Sequence, residues 1–349
     1  MRYLERPTPK TAILLIQLGT PDSPDSAGLR RYLRQFLSDR RVVDLNRLLW
    51  WPILQIILLF RPKSSAAKYR EVWNAETGSP LMHYTRLQAN KIGERFGGVP
   101  VRFAMTYGNP SVDMVTRELI AEGFEQLLVM PMYPQYSATT TAAATDALFR
   151  TLSDPNLRAI PAVRIVPPHP THPAYIRALK TRIEEELAAL DWKPDHFVIS
   201  FHGIPKRYCK LGDLYARDVK QTTAALVQSM GWPRHYWSQT FQSIFGREVW
   251  LKPYTNEHLE ELAKEGKKKV MVVAPGFTAD CLETIDEIGR EFWEEYEHAG
   301  GEKLHLVPCL NDHPAWIDAM EKILREEGFG WLPMSEQAPH AHSPEPVRV

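Results

Sequence analysis

A histidine and three glutamates are the residues of this chain whose types and spacing could do chemistry on a metal ion. His202 directly follows the apolar run Phe197–Phe201. Glu283, Glu287 and Glu291 recur every four residues, which on a helix places them on one face. An imidazole suits borderline ions such as ferrous iron and accepts a proton near neutral pH, whereas carboxylates suit harder ions. One imidazole and one carboxylate without thiolates would make a weak, open site, suited to handing a metal on rather than storing it.

Each of these residues also has an ordinary structural interpretation. His202 could be a strand-end histidine that bonds to nearby backbone. Asp280–Glu283 has the D-x-x-E form of a capping box, in which the glutamate bonds back to the helix N-terminus. A glutamate stripe is often just a solvated helix face. Here, however, no lysine is interleaved to form pairs at i,i+4, and like charges at that spacing repel. We therefore expect an unrelieved column of carboxylates, with Glu287 and Glu291 passing protons or metal.

The elements that would position these residues follow from the hydrophobic pattern. Short apolar runs alternate with segments of helical spacing along most of the chain, which predicts parallel sheets covered by helices on both faces. In such sheets, ligands bind outside the carboxyl ends of the strands. His202 ends one predicted strand, and Glu283 comes shortly after another, Val270–Ala274. If both strands share one sheet, both residues face the same crevice.

A short internal repeat indicates two similar halves. Glu118–Val129 and Glu261–Val272 share the order helix, glycine stop and buried strand. We predict an α/β fold of two Rossmann-like halves, residues 8–170 and 174–313, each a parallel sheet flanked by helices. The helix 314–326 is expected to pack back on the first half.

Composition limits the class of protein. Of the 349 residues, 42 are Lys or Arg and 42 are Asp or Glu, whereas a nucleic-acid binder carries a basic surplus. Cys209, Cys281 and Cys309 are too few and too dispersed for a disulfide framework or a four-cysteine iron–sulfur site within one chain. The N-terminus lacks the apolar core of a secretory leader, so a cytoplasmic location is expected. The tail 333–349, rich in Pro, Ser, Glu and His, is expected to be disordered.

The segment Leu48–Phe60 is strongly apolar but covers only about two-thirds of the ~20 residues that span a bilayer. It could be a buried helix. It could also be an exposed lip, because Trp50 and Trp51 lie near Arg47 and Arg61, a composition that suits a membrane interface or the mouth of an apolar pocket.

The loop Tyr133–Ser137 has a comparable pair of interpretations. It could be a strand-to-helix turn capped by a hydroxyl. It could also form a wall of aromatic faces against which a flat apolar ring with acidic side arms would pack. The common nucleotide and hydrolase motifs, GxGxxG, GxxxxGK[ST] and GxSxG, are absent from the sequence.

Eight segments of the chain, in register, resemble the ferrochelatases, which insert ferrous iron into a porphyrin. In order they read LLIQLGTPDSP, FLSDRRVVD, TGSPL, TYGNPS, YPQYS, SFHGIPKRY, TFQSIFGREVWLKPYT and PGFTADCLETIDEI. The likeness covers roughly residues 11–325 and is greatest to the enzymes of Gram-negative bacteria that act on protoporphyrin IX.

The resemblance implies two Rossmann-like halves with a cleft between them, bordered by Leu48–Phe60. It places the family's essential histidine at His202 and its essential glutamate at Glu283, both as catalytic and metal-contacting residues, and its acidic helix at Glu287 and Glu291. The porphyrin wall would then comprise Leu18, Tyr133, Gln135, Tyr136 and Ser137. Iron would be a substrate, with no prosthetic group and no iron–sulfur cluster.

The sequence departs from some relatives at positions that matter. Cys281 stands where some have a histidine, so a mechanism that needs a second imidazole lacks it here. Leu18 replaces a methionine, Thr106 an arginine, and Ala138 a cysteine.

We therefore expect a lyase-type chelatase that makes protohaem from protoporphyrin IX and ferrous iron, the last step of haem biosynthesis. It would work in the cytoplasm, with peripheral contact to the inner face of the membrane through Leu48–Phe60. His202 would take the pyrrole protons, and Glu283 would orient His202. Two alternatives stay open. One is insertion into coproporphyrin III, which the apolar lip disfavours. The other is a non-catalytic haem or metal carrier, which would need ligands that retain the ion.

Overall fold

The computed structural model describes residues 9–333 except Phe245 and Arg247, so almost all of the tail 333–349 lies outside the described residues. Its strands form two four-stranded parallel sheets, ordered β2-β1-β3-β4 and β6-β5-β7-β8. The first sheet comprises β1 Thr11–Gly19, β2 Val101–Tyr107, β3 Gln126–Pro131 and β4 Ala162–Ile165. The second comprises β5 His196–His202, β6 Trp237–Gln242, β7 Lys269–Val273 and β8 Lys303–Leu306.

The helices cover both faces of these sheets. In the first half they are α1 Ser26–Ser38, α2 Arg47–Val72, α3 Pro80–Arg95, α4 Val112–Ala121 and α5 Ala143–Leu152. The remainder are α6 Pro173–Ala189, α7 Lys206–Lys210, α8 Tyr215–Met230, α9 Thr255–Lys264, α10 Trp293–His298 and α11 Pro314–Glu327. A π-helix follows the third strand of each sheet, at Ala138–Ala142 and at Glu283–Phe292.

The central strands explain why the apolar runs are continuous rather than alternating. In β1, Ile13 and Leu15 pack into one hydrophobic cluster, whereas Leu14 and Ile16 pack into another on the opposite face. All four side chains are fully buried. A strand buried on both faces has no polar positions to alternate. The prediction of two similar halves built on parallel sheets is confirmed.

The last helix of each half lies against the other half. Helix α6 follows the first sheet but packs on α8, and α11 follows the second sheet but packs on α3. The two helices also pack on each other. The sequence repeats here too, since both helices begin with His-Pro-Ala, at residues 172–174 and 313–315.

Reciprocal bonds join these two helices. At the start of α6, His172 Nδ1 accepts the Ala174 N–H at 3.2 Å, and its Nε2 lies 2.9 Å from a Glu326 oxygen on α11. At the start of α11, His313 Nδ1 accepts the Ala315 N–H at 3.2 Å, and its Nε2 lies 2.8 Å from Glu185 of α6. Each histidine thus caps its own helix and binds the partner helix.

Helix α2 contains the apolar segment Leu48–Phe60, hereafter the lip. One stripe of it, Trp50, Leu54 and Leu58, is buried in a cluster with α1. The rest faces outward: Leu48 is 85% exposed and Phe60 74%. The exposed alternative is therefore the one that the structure adopts for most of the segment. Within the described part of the chain, no helix combines the length and apolarity that crossing a bilayer requires.

Candidate functional site

His202 and Glu283 belong to the same sheet edge. Strand β5, which ends at His202, pairs in parallel with β6 on one side and β7 on the other. Glu283 begins the π-helix that follows β7. The condition set by the sequence, that both strands share one sheet, is therefore met. Both residues lie at the carboxyl ends of adjacent strands, where open α/β sheets bind ligands.

The orientation of the His202 ring is set by backbone. Its Nδ1 lies 2.6 Å from the carbonyl oxygen of Gly203. A carbonyl oxygen only accepts, so Nδ1 carries the hydrogen and, in the neutral ring, Nε2 carries the lone pair. The hydroxyl of buried Tyr215 donates to the His202 carbonyl at 2.8 Å, which fixes the end of the strand. The Phe277 ring lies beside the imidazole, with centroids 6.4 Å apart.

Glu283 does not orient His202, contrary to the expectation from sequence. Among the residues that the structure describes, Glu283 makes no ion pair, and the imidazole is held by Gly203 instead. Glu283 lies beside the buried Cys281 and the tyrosines at positions 32 and 69. Burial, reinforced by the Glu283 charge and by a hydrogen bond to its carboxylate, holds the pKa of the Cys281 thiol well above its usual value. Burial chiefly, and the same charge, raise the pKa of Tyr32.

The capping-box interpretation of Asp280–Glu283 does not hold. The Asp280 N–H donates to Asn311 Oδ1 at 2.8 Å rather than to Glu283. The Asp280 carboxylate accepts from the Thr284 hydroxyl at 2.9 Å and from the Asn311 amide at 2.6 Å. The nearby Thr284 and the distant Asn311 therefore satisfy the Asp280 carboxylate, and the Glu283 side chain is left at the crevice.

The carboxylate of Glu287 accepts hydrogen bonds from the end of β6 and from the residue that follows it. The Ser243 N–H donates to one carboxylate oxygen at 2.9 Å, and the Ser243 hydroxyl donates to the other. The Gln242 amide donates to that second oxygen at 3.1 Å and to the Glu283 carbonyl at 2.7 Å. Ser243 takes a left-handed backbone with φ of 63°, which is unusual for a residue with a side chain. Burial raises the pKa of Glu287, and the Ser243 bond and the charge that His202 can carry work against this rise.

The expectation of a glutamate column without neighbouring cations was wrong at its outer end, where Glu291 pairs with two cations. Lys68 Nζ on α2 lies 2.6 Å from Glu291 Oε1, and Arg290 lies 3.4 Å from the same oxygen. Arg290 also pairs with Asp286 at 2.6 Å, four residues earlier. The cation that pairs most closely with Glu291 comes from another helix, so the spacing of residues around Glu291 could not have predicted it.

The residues expected in the porphyrin wall take different positions. Leu18 is half-buried against the cluster that carries the lip, and Tyr133 packs on the first half's core. Gln135 is only 2% exposed, and its amide donates to Tyr175 and Thr222, so it joins the halves. The Tyr136 N–H donates to Asp218 at 3.0 Å. Ser137 donates to Asp213 at 3.0 Å and accepts the Thr139 N–H, which caps the π-helix as the turn interpretation predicts.

A cavity of about 1050 Å³ opens between the halves, lined mostly by residues of the first half. Residues of both halves line it, among them Thr106, Ala138, Arg150, Leu211 and Asp213. His202 and Glu283 are not part of its lining. In the described ranges, no three His, Cys, Asp or Glu side chains are grouped so that they could hold a metal ion.

Sequence reasoning missed several residues of the site. Gln242 and Ser243 anchor Glu287, Tyr32 and Tyr69 face Glu283, and Lys68 pairs with Glu291. The segment that carries Gln242 and Ser243 belongs to the resemblance, but nothing in its spacing pointed to Glu287.

Comparison with known proteins gives a consistent result. The family model described as Ferrochelatase matches residues 10–328. The chain is 47% identical to the ferrochelatase of Mesorhizobium japonicum, over 93% of this chain and 92% of that protein. It is 47% identical to that of Rhizobium meliloti, with coverage of 93% and 96%, and 46% identical to that of Brucella ovis, with 93% of each chain covered.

Solved structures show the same fold at low identity. SirB from Bacillus subtilis with Fe3+ superposes with a TM-score of 0.53 and 16% identity, over 91% of this chain and 95% of that one. The sirohydrochlorin chelatase SirB from Bacillus subtilis subspecies spizizenii in complex with cobalt gives a TM-score of 0.51 at 14% identity, with the same coverage.

Proposed function

This chain belongs to the ferrochelatase family, and on that premise we propose that it inserts ferrous iron into protoporphyrin IX with His202 as the proton acceptor. The family's reaction is lyase-type metal chelation, the insertion of iron into a porphyrin for haem synthesis. The macrocycle loses two pyrrole protons, and the ion sheds its waters. The observation that carries the proposal is the Nδ1 bond from His202 to Gly203, which leaves Nε2 as a base at the crevice.

His202 acts as the base because its lone pair is oriented before substrate arrives. Since Nδ1 is committed to a backbone carbonyl, the ring need not rotate or change tautomer to accept a proton at Nε2. The proton that it gains leaves an imidazolium that still donates to Gly203. Glu287, whose carboxylate interacts electrostatically with His202, then offsets part of that charge.

The three glutamates divide the remaining work. Glu283 contacts the metal together with His202, because it is the carboxylate of the column that is not saturated by donors. Glu287 accepts three hydrogen bonds and serves as a fixed negative charge on the proton path. Glu291 is the outer residue of the path, toward the lip helix.

The macrocycle packs between the lip and the tyrosine loop. We assign Leu18, Tyr133 and Tyr136 to the contact surface, and Gln135 and Ser137 to holding the loop, since their polar groups are already bound within the protein. A rigid wall of this kind can keep the ring bent, so that its nitrogens are accessible. Contact with the rest of the ring would offset strain of about 1–5 kcal/mol.

Protoporphyrin is favoured over coproporphyrin by the lip. Leu48, Leu49 and Phe60 are 85%, 69% and 74% exposed at its surface. They suit a porphyrin with fewer carboxylates, and they suit a lipid surface. We propose that the enzyme works on the cytoplasmic side of the membrane and touches it through the lip. Sedimentation with vesicles tests this contact: Leu48→Ser with Phe60→Ser reduces pelleting, whereas Phe329→Ser, at an exposed residue just beyond the end of α11, leaves it intact.

Iron enters this scheme as substrate, and no resident cluster is assigned. Cys209, Cys281 and Cys309 could not supply four thiolates. The decisive assay mixes the purified chain anaerobically with ferrous iron and either porphyrin. An enzyme quenches free-porphyrin fluorescence over many equivalents, faster with protoporphyrin IX. A carrier stops at one equivalent, and that result would refute the proposal.

A further inference from the structure

Two consecutive residues of helix α2 reach the two ends of the glutamate column. Lys68 Nζ lies 2.6 Å from Glu291 Oε1, at the outer end. Tyr69 is half-buried next to the inner end, where burial chiefly and the Glu283 charge raise the pKa of its phenol. The helix that forms the lip therefore also contacts the π-helix that carries the column.

The Lys68 side chain is suited to exchange rather than to permanent attachment. It is 46% exposed, and the Glu291 side chain is 30% exposed. An ion pair at that exposure is weak, because water screens the attraction and two long side chains must be ordered. Arg290, the second cation near Glu291, is committed to Asp286 at 2.6 Å. Lys68 is thus the cation that an incoming ion could displace.

We propose that Lys68 is a positioning residue that gates metal entry: its ammonium occupies Glu291 until a divalent cation displaces it. The inference rests on the proposed function, in which metal reaches Glu283 by way of Glu291. A divalent ion carries twice the charge of the ammonium and competes for the same oxygen. Monovalent ions compete poorly, so the pair would hold back ions of low charge while yielding to the substrate.

The gate makes a prediction that a simple tether does not. If Lys68 competes with the metal, its removal lowers the KM for the metal. If Lys68 only holds the lip helix in place, its removal loosens the lip and changes the KM for the porphyrin instead. The two roles therefore separate in the steady-state constants for the two substrates.

The test uses the full chain, Zn²⁺ as the metal and protoporphyrin as the acceptor. Lys68→Met should lower the KM for Zn²⁺ about three- to tenfold at low ionic strength, with the KM for porphyrin unchanged, and Lys68→Arg should restore the wild-type value. The effect should shrink at high salt, where the attraction is screened. Lys63→Met is the matched control: Lys63 is exposed on the same helix, and among the described residues it forms no ion pair.

A double variant locates the effect. In a Glu291→Gln background, Lys68→Met should no longer change the KM for Zn²⁺. The gate is overturned if Lys68→Met leaves that KM unchanged, if Lys63→Met lowers it equally, or if the effect persists without Glu291. If the wild-type chain shows no turnover at all, the proposed function is refuted instead. The failure of the gate and the failure of the proposed function are therefore distinguishable.

Discussion

His202 Nδ1 donates its hydrogen to the carbonyl oxygen of Gly203, which lies 2.6 Å from the nitrogen, where β5 ends. A carbonyl of the main chain does the work that a carboxylate side chain does for many histidines that act as bases. It cannot take up the proton, and it cannot be lost by a side-chain substitution. The neighbouring glutamates are therefore available to contact the metal and to offset the charge of the imidazolium.

Replacing His202 with alanine should abolish insertion without abolishing binding. The expected loss in the rate of metal insertion is about 10²- to 10⁴-fold, the range for removing a positioned general base. Porphyrin affinity, followed by the quenching of tryptophan fluorescence, should change little because the wall is intact. Normal insertion by His202→Ala would contradict the assignment.

The two inner glutamates should differ in their effect on rate. Glu283→Gln should slow insertion more than Glu287→Gln, because Glu283 is assigned to the metal, whereas Glu287 is already saturated by Ser243 and Gln242. Single-turnover rates with bound porphyrin would compare the variants directly. Equal losses would indicate that the column acts as one unit.

Buried His169 should make the fold sensitive to acid. Burial lowers its pKa to about 4, from about 6.5 in an unfolded chain. Between these values the unfolded state binds the proton and the native state does not, so the free energy of unfolding falls as the pH drops from about 6.5 to 4. The difference corresponds to a loss on the order of 3 kcal/mol. Urea unfolding at pH 7 and pH 4.5 should show a smaller drop for His169→Gln, and an unchanged drop for the exposed His235→Gln.

The reciprocal histidine caps should contribute to stability from both ends of the helix pair. His172→Ala or His313→Ala removes one cap and one bond to the partner helix, and each should cost about 1 kcal/mol. Asparagine, which also caps, should recover part of the loss. Thermal unfolding of the single and double variants would measure this, and a neutral double variant would show that the caps do not stabilise the seam.

Much of the site was readable from the sequence because it depends on strand ends. His202 and Glu283 each follow an apolar run, and strands of one parallel sheet bring their carboxyl ends to one edge. The hydrogen bonds from Ser243 to Glu287 could not be predicted, since the two residues lie 44 positions apart and no periodicity relates them. The Lys68–Glu291 pair was missed for the same reason. The His-Pro-Ala repeat at 172 and 313 was present in the sequence, and it would have pointed to the paired helices.

The packing of α6 and α11 against the opposite halves has a consequence for biosynthesis. Trp316 and Met320 of α11 belong to the same cluster as Ile92 of α3 and Phe96, the residue that follows α3. While the ribosome is still translating the second sheet, that surface of α3 lacks the helix α11 that packs on it. The nascent first half should therefore expose an apolar face that chaperones bind until residues 314–327 emerge from the ribosome.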